Sequence, residues 1–250
     1  QRGKPVLTAE TLLKAGTSTT SNDEYHSAVR MESVSVDGNV YVLSGKDIVK
    51  VVKGGTIKGD LTVESDGNVA LNYVNDGEKF NVTGDVNVNN DGRISYLRNA
   101  KVDGNVKMHN SGGFLEISDV EVGKDVDLKT TVKTNKSVKH FVHVVGDNDI
   151  KGNLTVDSIH NIHIGGYDSK LENLANGSLK VGGTLKAHAK EGSVKVTVDT
   201  EADKVDLKSG TLNIITDGVA TIKIIESKVG ELNIEGEKWT REWYLRHIIM

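Results

Sequence analysis

The sequence predicts an all-β protein, a right-handed parallel β-helix (β-solenoid) of about nine coils with short terminal caps. A short sequence motif recurs at a spacing near 20 residues, and within it apolar residues alternate with polar ones. Aromatic residues and proline are scarce in the chain. The repeat divides the chain into an N-terminal cap segment (1–33), the β-solenoid (34–234) and a last segment (235–250). This last segment is interpreted as a C-terminal cap or the start of a further domain.

The recurring motif is clearest at residues 102–108, Val-Asp-Gly-Asn-Val-Lys-Met. Nine copies can be counted, and the first apolar residue after each turn is Val40, Leu61, Val86, Val106, Val126, Leu154, Leu185, Val205 or Leu232. Three of the eight steps are 20 residues and the others are 21 to 31. A period near 20 is typical of a solenoid, in which one repeat forms one coil and cannot bury its apolar face alone. The longest insertions lie at about 129–149 and 165–180, and a short helical turn is compatible with residues 167–176.

Within each copy, the order apolar, polar, apolar indicates a strand with one buried face. Val106 and Met108 are expected to point into the core, and Lys107 is expected to face water. Glycine in the turn is expected to supply a positive φ at a sharp corner, beside an Asp or Asn that tolerates left-handed geometry. A second strand follows in most coils, with candidates at residues 69–71, 93–96, 114–117, 141–144, 161–164, 193–198 and 221–224.

The composition favours one elongated domain with a thin core. Hydrophobic residues make up 36% of the 250 residues and aromatic residues only 4%, and the single proline, Pro5, lies outside the repeat. Proline would interrupt a ladder whose interior strands are paired on both sides. At about 4.8 Å per strand, nine coils would form a rod of roughly 45 Å.

Both terminal segments differ from the repeat. Residues 8–16 carry a helix start at Thr8 and a stop at Gly16, which predicts a short amphipathic helix that covers an open end of the solenoid. The last segment holds both tryptophans, Trp239 and Trp243. We interpret it as a cap whose aromatic rings close the core, with an interface or a truncated further domain as the alternative.

Charge and composition restrict the partners. The net charge is −4 with acidic and basic residues interleaved, which is unlike a nucleic-acid-binding surface. No apolar stretch is long enough to span a membrane. The absence of cysteine is compatible with an exported bacterial surface protein and with many cytoplasmic proteins. The chain does not begin with Met, which is compatible with a processed or excised fragment, so the lack of a signal peptide excludes nothing.

No cofactor is expected from the sequence, and calcium at the turn aspartates is the alternative. Asp precedes Gly at Asp37, Asp66, Asp76, Asp91, Asp103 and Asp217. Stacked Asp turns could supply the six to eight oxygens that calcium takes, but Asp-Gly is also ordinary turn chemistry, and we favour this second interpretation. Residues 147–152 partly imitate an EF-hand loop, but Lys151 stands at a ligand position and Ser158 where Glu is needed. We therefore reject an EF-hand there.

Two histidine pairs have similar spacing, His140 with His143 and His160 with His163. Residues three apart in a strand face opposite sides, so neither pair chelates a metal by itself. One member of each pair could stack on its counterpart in the next coil and bind a metal. Surface or hydrogen-bonded histidines are the more ordinary interpretation.

The sequence favours a protein that is not an enzyme, and it assigns no catalytic residue. Carbohydrate-cleaving β-helices need grouped carboxylates, or a basic residue beside carboxylates, on one face. The chain has no Asp-Asp pair and no Gly-His-Gly, and only Arg93 and Arg98 among its arginines lie in the solenoid, Arg98 close in sequence to Asp103. The aromatic residues available for stacking on sugars are spread singly along the chain: Tyr41, Tyr73, Tyr96, Phe114, Phe141 and Tyr167. A site assembled across coils would not be visible in the sequence.

Residues 58–63 (Lys-Gly-Asp-Leu-Thr-Val) and 83–88 (Thr-Gly-Asp-Val-Asn-Val) resemble the repeats of bactofilin-type β-helices. They are also similar to solenoid segments of bacterial surface-layer proteins and adhesins, over roughly residues 34–234. Bactofilins are usually shorter and more regular, without an aromatic tail such as residues 239–244, which favours a surface protein. The resemblance carries over no functional residues.

The repeat and the resemblance together imply a structural, self-associating protein of a surface layer or an extracellular fibre. Self-association is the expected partner interaction, with a cell-wall or host glycan as a further partner, and the expected location is extracellular or at the cell surface. A carbohydrate-binding or carbohydrate-cleaving β-helix is one alternative. A cytoplasmic bactofilin-like scaffold is another.

Overall fold

The chain forms a parallel β-solenoid of about seven turns, as a computed structural model shows. The structure describes residues 6–8, 11–15, 27–46, 48–72, 77–131, 141–165, 177–190, 194–196, 199–209, 225–235 and 246–249. Within these ranges the chain is all-β, without a helix, which confirms the predicted class. The number of turns is slightly lower than the nine predicted, and the first and last strands of the ladder belong to turns that are described only in part.

The described residues contain 22 strands, numbered in chain order. They are β1 Val6–Thr8, β2 Thr11–Ala15, β3 Ser27–Asp37, β4 Val40–Ser44, β5 Ile48–Ile57, β6 Leu61–Ser65, β7 Val69–Leu71, β8 Phe80–Val82, β9 Val86–Asn90, β10 Ile94–Val102, β11 Val106–Asn110, β12 Phe114–Val122, β13 Val126–Thr130, β14 Phe141–Val145, β15 Asp147–Ile150, β16 Leu154–Ser158, β17 Asn161–Ile164, β18 Ser178–Ala189, β19 Val194–Val196, β20 Asp199–Ser209, β21 Ile225–Glu235 and β22 Arg246–Ile249.

Each full turn has three faces, and the turn that contains β10 and β11 illustrates them. β11 lies on the first face, between β9 and β13. The beginning of β10 lies on the second face beside β7, and its end lies on the third face beside β8. The chain therefore runs from the second face to the third and then to the first, and all strand pairings within the described ranges are parallel.

The core is built from register columns of aliphatic residues. One column on the first face contains Val40, Leu61, Val86, Val106, Val126, Leu154 and Leu185, all buried. In the copy at residues 106–108, Val106 and Met108 are 1% and 0% exposed, whereas Lys107 is exposed. This confirms the predicted orientation of the repeat. Six of the seven second-strand candidates also coincide with described strands, and residues 221–224 lie outside the described ranges.

The corner between the third and first faces, the glycine corner, holds the recurring Gly-Asp and Gly-Asn pairs. Gly38 has a φ of +134°, but Gly84 and Gly104 do not have positive φ, so the predicted reason for glycine is wrong there. The reason is close stacking of the coils. A Cβ at Gly84 would lie 2.7 Å from the carbonyl oxygen of Gly59 in the preceding coil, and only glycine avoids this contact.

Positive φ occurs instead at the corner between the second and third faces, the left-handed corner. It is adopted there by Ser33, Lys53, Asn72, Asn99 and Asp119, with φ between 42° and 56°, and by Gly146. This conformation costs roughly 1–2 kcal/mol for a residue with a Cβ, and least for Asn and Asp. Buried Asn72 stabilises the corner because its Oδ1 accepts from the Gly54 amide at 3.1 Å and its Nδ2 donates to the Asn99 carbonyl at 3.0 Å.

The helix predicted at residues 8–16 is wrong, because Thr11–Ala15 forms strand β2. β2 pairs in parallel with β4, and β1 pairs with the end of β3. β2 pairs with residues of β4 that lie about 29 positions further along the chain. This long-range pairing outweighs the local capping signals at Thr8 and Gly16. The N-terminal segment therefore contributes strands to the solenoid, and its role as a cap stays a prediction.

Candidate functional site: the ring patch on the second face

A cluster of rings and charges lies on the outer surface of the second face. Register pairing places Tyr96 beside Glu116, Glu116 beside His143, and His143 beside His163, each on the next coil. These residues form one outward column because side chains at the same register position of stacked parallel strands are about 4.8 Å apart. We call the cluster the ring patch and define it by Tyr96, Arg98, Phe114, Glu116, Phe141, His143 and His163.

The aromatic rings of the patch contact one another, both across coils and within one strand. Phe114 contacts Tyr96 edge-on with ring centroids 5.6 Å apart, and it contacts His143 in the same way at 4.6 Å. Phe141 lies 6.0 Å from both His143 and His163. Edge-to-face contacts of this kind are worth about 0.5–1.5 kcal/mol beyond area burial. The patch is therefore a packed surface rather than a set of independent side chains.

An ion pair anchors one edge of the patch. The Arg98 Nε–H group donates a hydrogen bond to Glu116 Oε1 at 2.7 Å, and Nη2 forms an ion pair with the same oxygen at 2.5 Å. The side chain of Glu116 is only 10% exposed, and that of Arg98 is 28% exposed. The guanidinium carbon also lies 4.3 Å from the Tyr96 ring centroid, a cation–π distance. Arg98 thus neutralises a nearly buried carboxylate and covers a ring at the same time.

The prediction that the aromatic residues are spread singly is wrong for Tyr96, Phe114 and Phe141, which meet in the patch. Tyr41 lies on the first face, where its hydroxyl donates to Glu64 Oε1 at 2.6 Å. Tyr73 and Tyr167 lie outside the described residues.

The register also decides the partners of the basic residues in this region. Arg98 pairs with Glu116 on the next coil, whereas Lys101 lies 3.8 Å from Asp103, the acid that is close to Arg98 in sequence. Arg93, the other solenoid arginine, is exposed and precedes β10 at the corner. Arg98 is therefore not paired with the acidic residue nearest to it in sequence.

One member of each histidine pair stacks on its counterpart in the next coil, an arrangement that the sequence offered only as the less ordinary interpretation. The rings of His143 and His163 stack with centroids 5.1 Å apart and an interplanar angle of 17°. His160 lies at the corner before β17, and His140 lies outside the described residues. Glu116 Oε2 lies 3.8 Å from His143 Nδ1 on the other side of the stack.

The turn aspartates that the structure describes divide between two corners. Asp37 and Asp103 lie at the glycine corner, and Asp66 and Asp91 lie where the first face leads into the second. Glu64, Asp66 and Asp91 line an open depression there, together with Asn89, Ser44 and Ser65. Asp76 and Asp217 lie outside the described residues.

Several findings bear on metal binding at the predicted positions. Within the described part of the chain, no three His, Cys, Asp or Glu side chains are grouped as metal ligands. Asp147–Ile150 forms strand β15 on the third face, which agrees with the rejection of an EF-hand loop at residues 147–152. Calcium binding at the turn aspartates stays the alternative that the sequence left open.

A buried polar column at the corner between the first and second faces, the polar corner, was missed by sequence reasoning. It comprises the last residue of each first-face strand from β4 to β16: Ser44, Ser65, Asn90, Asn110, Thr130 and Ser158. These residues occupy strand positions whose side chains point into the core. At the other inward positions the repeat has Val, Leu or Met. A polar residue recurring at an apolar position is the signal that identifies this column in the sequence.

Two further histidines lie among charged residues on the first face. Burial, and secondarily the charge of Lys129, lower the pKa of His109, whose Nε2 lies 2.8 Å from Thr131 Oγ1. His188 lies between two carboxylates, with Nε2 3.1 Å from Asp206 Oδ2 and Nδ1 3.9 Å from Asp157 Oδ1. The first face therefore contains single histidines among charges, in contrast to the stacked pair of the ring patch.

Comparison with protein-family models, curated proteins and solved structures finds no match to this chain. In the described residues, no helix is long and apolar enough to cross a membrane.

Proposed function

We propose that this protein is a structural, self-associating component of a surface layer or an extracellular fibre. Its location would be extracellular or at the cell surface, and its function would reside in the shape and association of the rod. The observation that carries the proposal is a side-chain ladder that joins seven consecutive coils.

The ladder follows the glycine corner, where the side-chain oxygen of one coil accepts a hydrogen bond from the backbone amide of the next. It passes from Asn39 through Asp60, Asp85, Asn105, Asp125 and Asn153 to Thr184, with N···O distances of 2.7 to 3.2 Å. Each coil is therefore held to its neighbours by side-chain bonds in addition to the main-chain ladder. We expect these additional bonds to stiffen the rod along its axis.

Surface charges on the third face support lateral association. Lys79 pairs with Glu121 at 2.5 Å, and Lys151 pairs with Asp149 at 2.7 Å, all with well-exposed side chains. Exposed pairs of this kind contribute about 0–1 kcal/mol to stability, so they can exchange for pairs with a neighbouring rod at little cost. Association through them should weaken as salt concentration rises.

The test is sedimentation velocity and negative-stain electron microscopy of the purified chain at low and high salt, with and without millimolar calcium. Sheets, filaments or laterally associated rods that dissociate at high salt are expected. A Lys79→Glu/Lys151→Glu variant should associate less, and Lys58→Glu/Lys124→Glu, which reverses two exposed lysines at the glycine corner, is the control with the same change in net charge. Monomeric rods at every protein concentration and in all conditions would contradict the proposal, and calcium-dependent assembly would show that calcium takes part in the association.

The ring patch favours a second candidate, a carbohydrate-binding β-helix. Tyr96, Phe114 and Phe141 occur on three consecutive coils, beside an arginine and a carboxylate that can hydrogen-bond to hydroxyl groups. Small-molecule sites typically combine apolar rings with a small number of polar groups at defined positions. A cell-wall or host glycan lying along the rod axis would contact several of these rings.

This candidate is tested by calorimetric titration with soluble oligosaccharides of chitin and of cellulose. Phe141→Ala should weaken binding at least tenfold, and Tyr41→Ala, a ring on the first face, should not change it. Equal affinity in the wild type and Phe141→Ala, or no binding to either oligosaccharide, would refute it.

A further inference from the structure

Charged residues on the third face form an outward column along the rod axis. Strand pairing joins one residue of each coil to the next, in the order Lys101, Glu121, Asp149, Lys180 and Glu201. We call these five residues the charge column. Asp149 is partly exposed and the other four are exposed. The charges run positive, negative, negative, positive and negative, over four coil steps or about 19 Å.

The order of these charges is antisymmetric about Asp149. The residues one coil away, Glu121 and Lys180, have opposite charges, and so do the residues two coils away, Lys101 and Glu201. A two-fold axis at the level of Asp149 that reverses the rod therefore makes Glu121 face Lys180 of a second copy. It also makes Lys101 face Glu201. Because a two-fold contact forms each of these pairs twice, four pairs of opposite charge result.

The centre of such a contact brings together two Asp149 carboxylates, and Lys151 neutralises them. Lys151 Nζ lies 2.7 Å from Asp149 Oδ2 within one chain, and its side chain is 66% exposed. In the two-fold contact, the two lysines and the two aspartates lie at the same level of the rods. Each carboxylate thus has an ammonium group beside it, which offsets the repulsion at the axis.

Other arrangements of two third faces match the charges less well. Parallel rods in register make every residue of the column face its own copy, which gives five like-charge pairs. Parallel rods staggered by one coil place Glu121 against Asp149, and a staggered contact does not close into a symmetric pair. Moving the antiparallel two-fold axis by half a coil in either direction gives at least as many like pairs as unlike pairs within the column. The charges therefore favour the axis at Asp149.

We propose that two copies of this chain associate through their third faces as an antiparallel two-fold pair centred on Asp149. The pair rests on the self-association proposed above, and it adds the direction of the rods and the residues that face each other. A contact about 19 Å long, on a face about 13 Å wide at the four-residue strand β15, is smaller than a standard protein interface. It is therefore weak and strongly dependent on salt concentration.

Charge reversal tests which residues face each other. Lys101→Glu should weaken association at least about fivefold in sedimentation velocity at low salt, because the contact then contains two like-charge pairs. Adding Glu201→Lys should restore the affinity to within about twofold of the wild type. Lys101 and Glu201 lie about 19 Å apart in one chain, so this restoration cannot come from a contact within the chain. Lys101→Glu/Glu121→Lys has the same composition and net charge, and it should stay weak.

The outcomes separate the antiparallel pair from self-association in general. A wild type that associates, with Lys101→Glu/Glu201→Lys remaining as weak as Lys101→Glu, would overturn the antiparallel pair and leave self-association intact. Restoration by Lys101→Glu/Glu121→Lys instead would overturn it in favour of parallel rods staggered by one coil. A wild type that stays monomeric in all conditions would refute self-association and the pair together.

Cross-linking provides a second measurement that reverses no charge. The chain has no cysteine, so one introduced cysteine reacts at a single site. In Asp149→Cys the two thiols meet at the axis, and a bismaleimide with a span of about 10 Å, the usual separation of packed sheets, should join them. In Lys101→Cys the thiols lie about 19 Å apart along the rods and should be joined no more than in Lys107→Cys, a first-face control. Equal yields for Asp149→Cys and Lys101→Cys would overturn the proposal.

Discussion

Asn90 and Asn110 donate hydrogen bonds to the same acceptor, Ser95 Oγ, from their Nδ2 atoms at 2.9 and 3.0 Å. The two asparagines are register partners on consecutive coils, and both are 0% exposed. Asn110 Oδ1 also accepts from the backbone amides of Gly112 and Gly113 at 2.8 and 2.9 Å. One buried amide therefore satisfies two backbone donors at the polar corner and joins two coils inside the core.

Asn110→Ala should lower the free energy of unfolding by about 3 kcal/mol, because each buried polar group left without a partner costs roughly 1–3 kcal/mol. Urea denaturation followed by circular dichroism measures the change. Asn89→Ala, an exposed residue on the preceding coil, is the control and should stay within about 0.5 kcal/mol of wild type. A change that small for Asn110→Ala would show that the polar corner does not depend on its amide.

The register of the first face can be tested at Val106, Lys107 and Met108. Val106→Asp and Met108→Asp each place a charge in the core and should destabilise the fold by several kcal/mol. Lys107→Thr should barely change the stability of the fold. Thr is chosen because an Asp at this position would lie beside Asp127, the register partner of residue 107, and the two like charges would repel. Thermal denaturation of the three variants provides the comparison, and equal effects would contradict the register.

Gly84→Ala distinguishes close stacking from a requirement for positive φ. Because the added Cβ would lie 2.7 Å from the Gly59 carbonyl oxygen, the coils must separate locally, and we expect a loss of at least about 2 kcal/mol. Asp85→Asn, the adjacent ladder residue, keeps an accepting oxygen and should be much milder. Hydrogen exchange of the Gly84 amide, which donates to Gly59 at 2.9 Å, reports the separation directly. An alanine variant with wild-type exchange and stability would refute the stacking explanation.

Arg98→Met should destabilise the protein by about 2–3 kcal/mol, because it leaves the nearly buried Glu116 carboxylate without its strongest partner. The double variant Arg98→Met/Glu116→Gln should recover part of this loss, since no unpaired charge remains. A double-mutant cycle from chemical denaturation measures the coupling. A double variant whose loss equals the sum of the single losses would show that the two side chains act independently.

His109 should make the protein less stable in mild acid. Its pKa is lowered in the folded state, so the unfolded chain binds the proton more readily, and stability falls as the pH drops below about 6.5, the ordinary value. Above that pH the histidine contributes no pH dependence. His109→Gln should flatten the dependence of stability on pH between 7 and 5 in urea melts. An unchanged slope would assign the acid sensitivity to other groups.

Prediction from the sequence succeeded where the signal was local. Val106, Lys107 and Met108 have the predicted orientations because alternation within a strand follows from backbone geometry alone. It failed for Thr11–Ala15, whose strand conformation depends on a partner strand beyond the reach of capping signals. It also failed to explain the glycines, because the contact between Gly84 and Gly59 is made between coils.

The solenoid class, the position of most strands and the inward or outward direction of the repeat residues could all be inferred from the sequence. Which outward residues become neighbours depends on the stacking of the coils. Tyr96, Glu116, His143 and His163 are separated by 20 to 27 residues along the chain, yet each lies one strand away from the next. Insertions vary the spacing along the sequence, whereas hydrogen bonding between parallel strands keeps the spacing between coils constant at about 4.8 Å. The ring patch, the Arg98–Glu116 pair and the stacked histidines therefore exist only once the coils are placed in register.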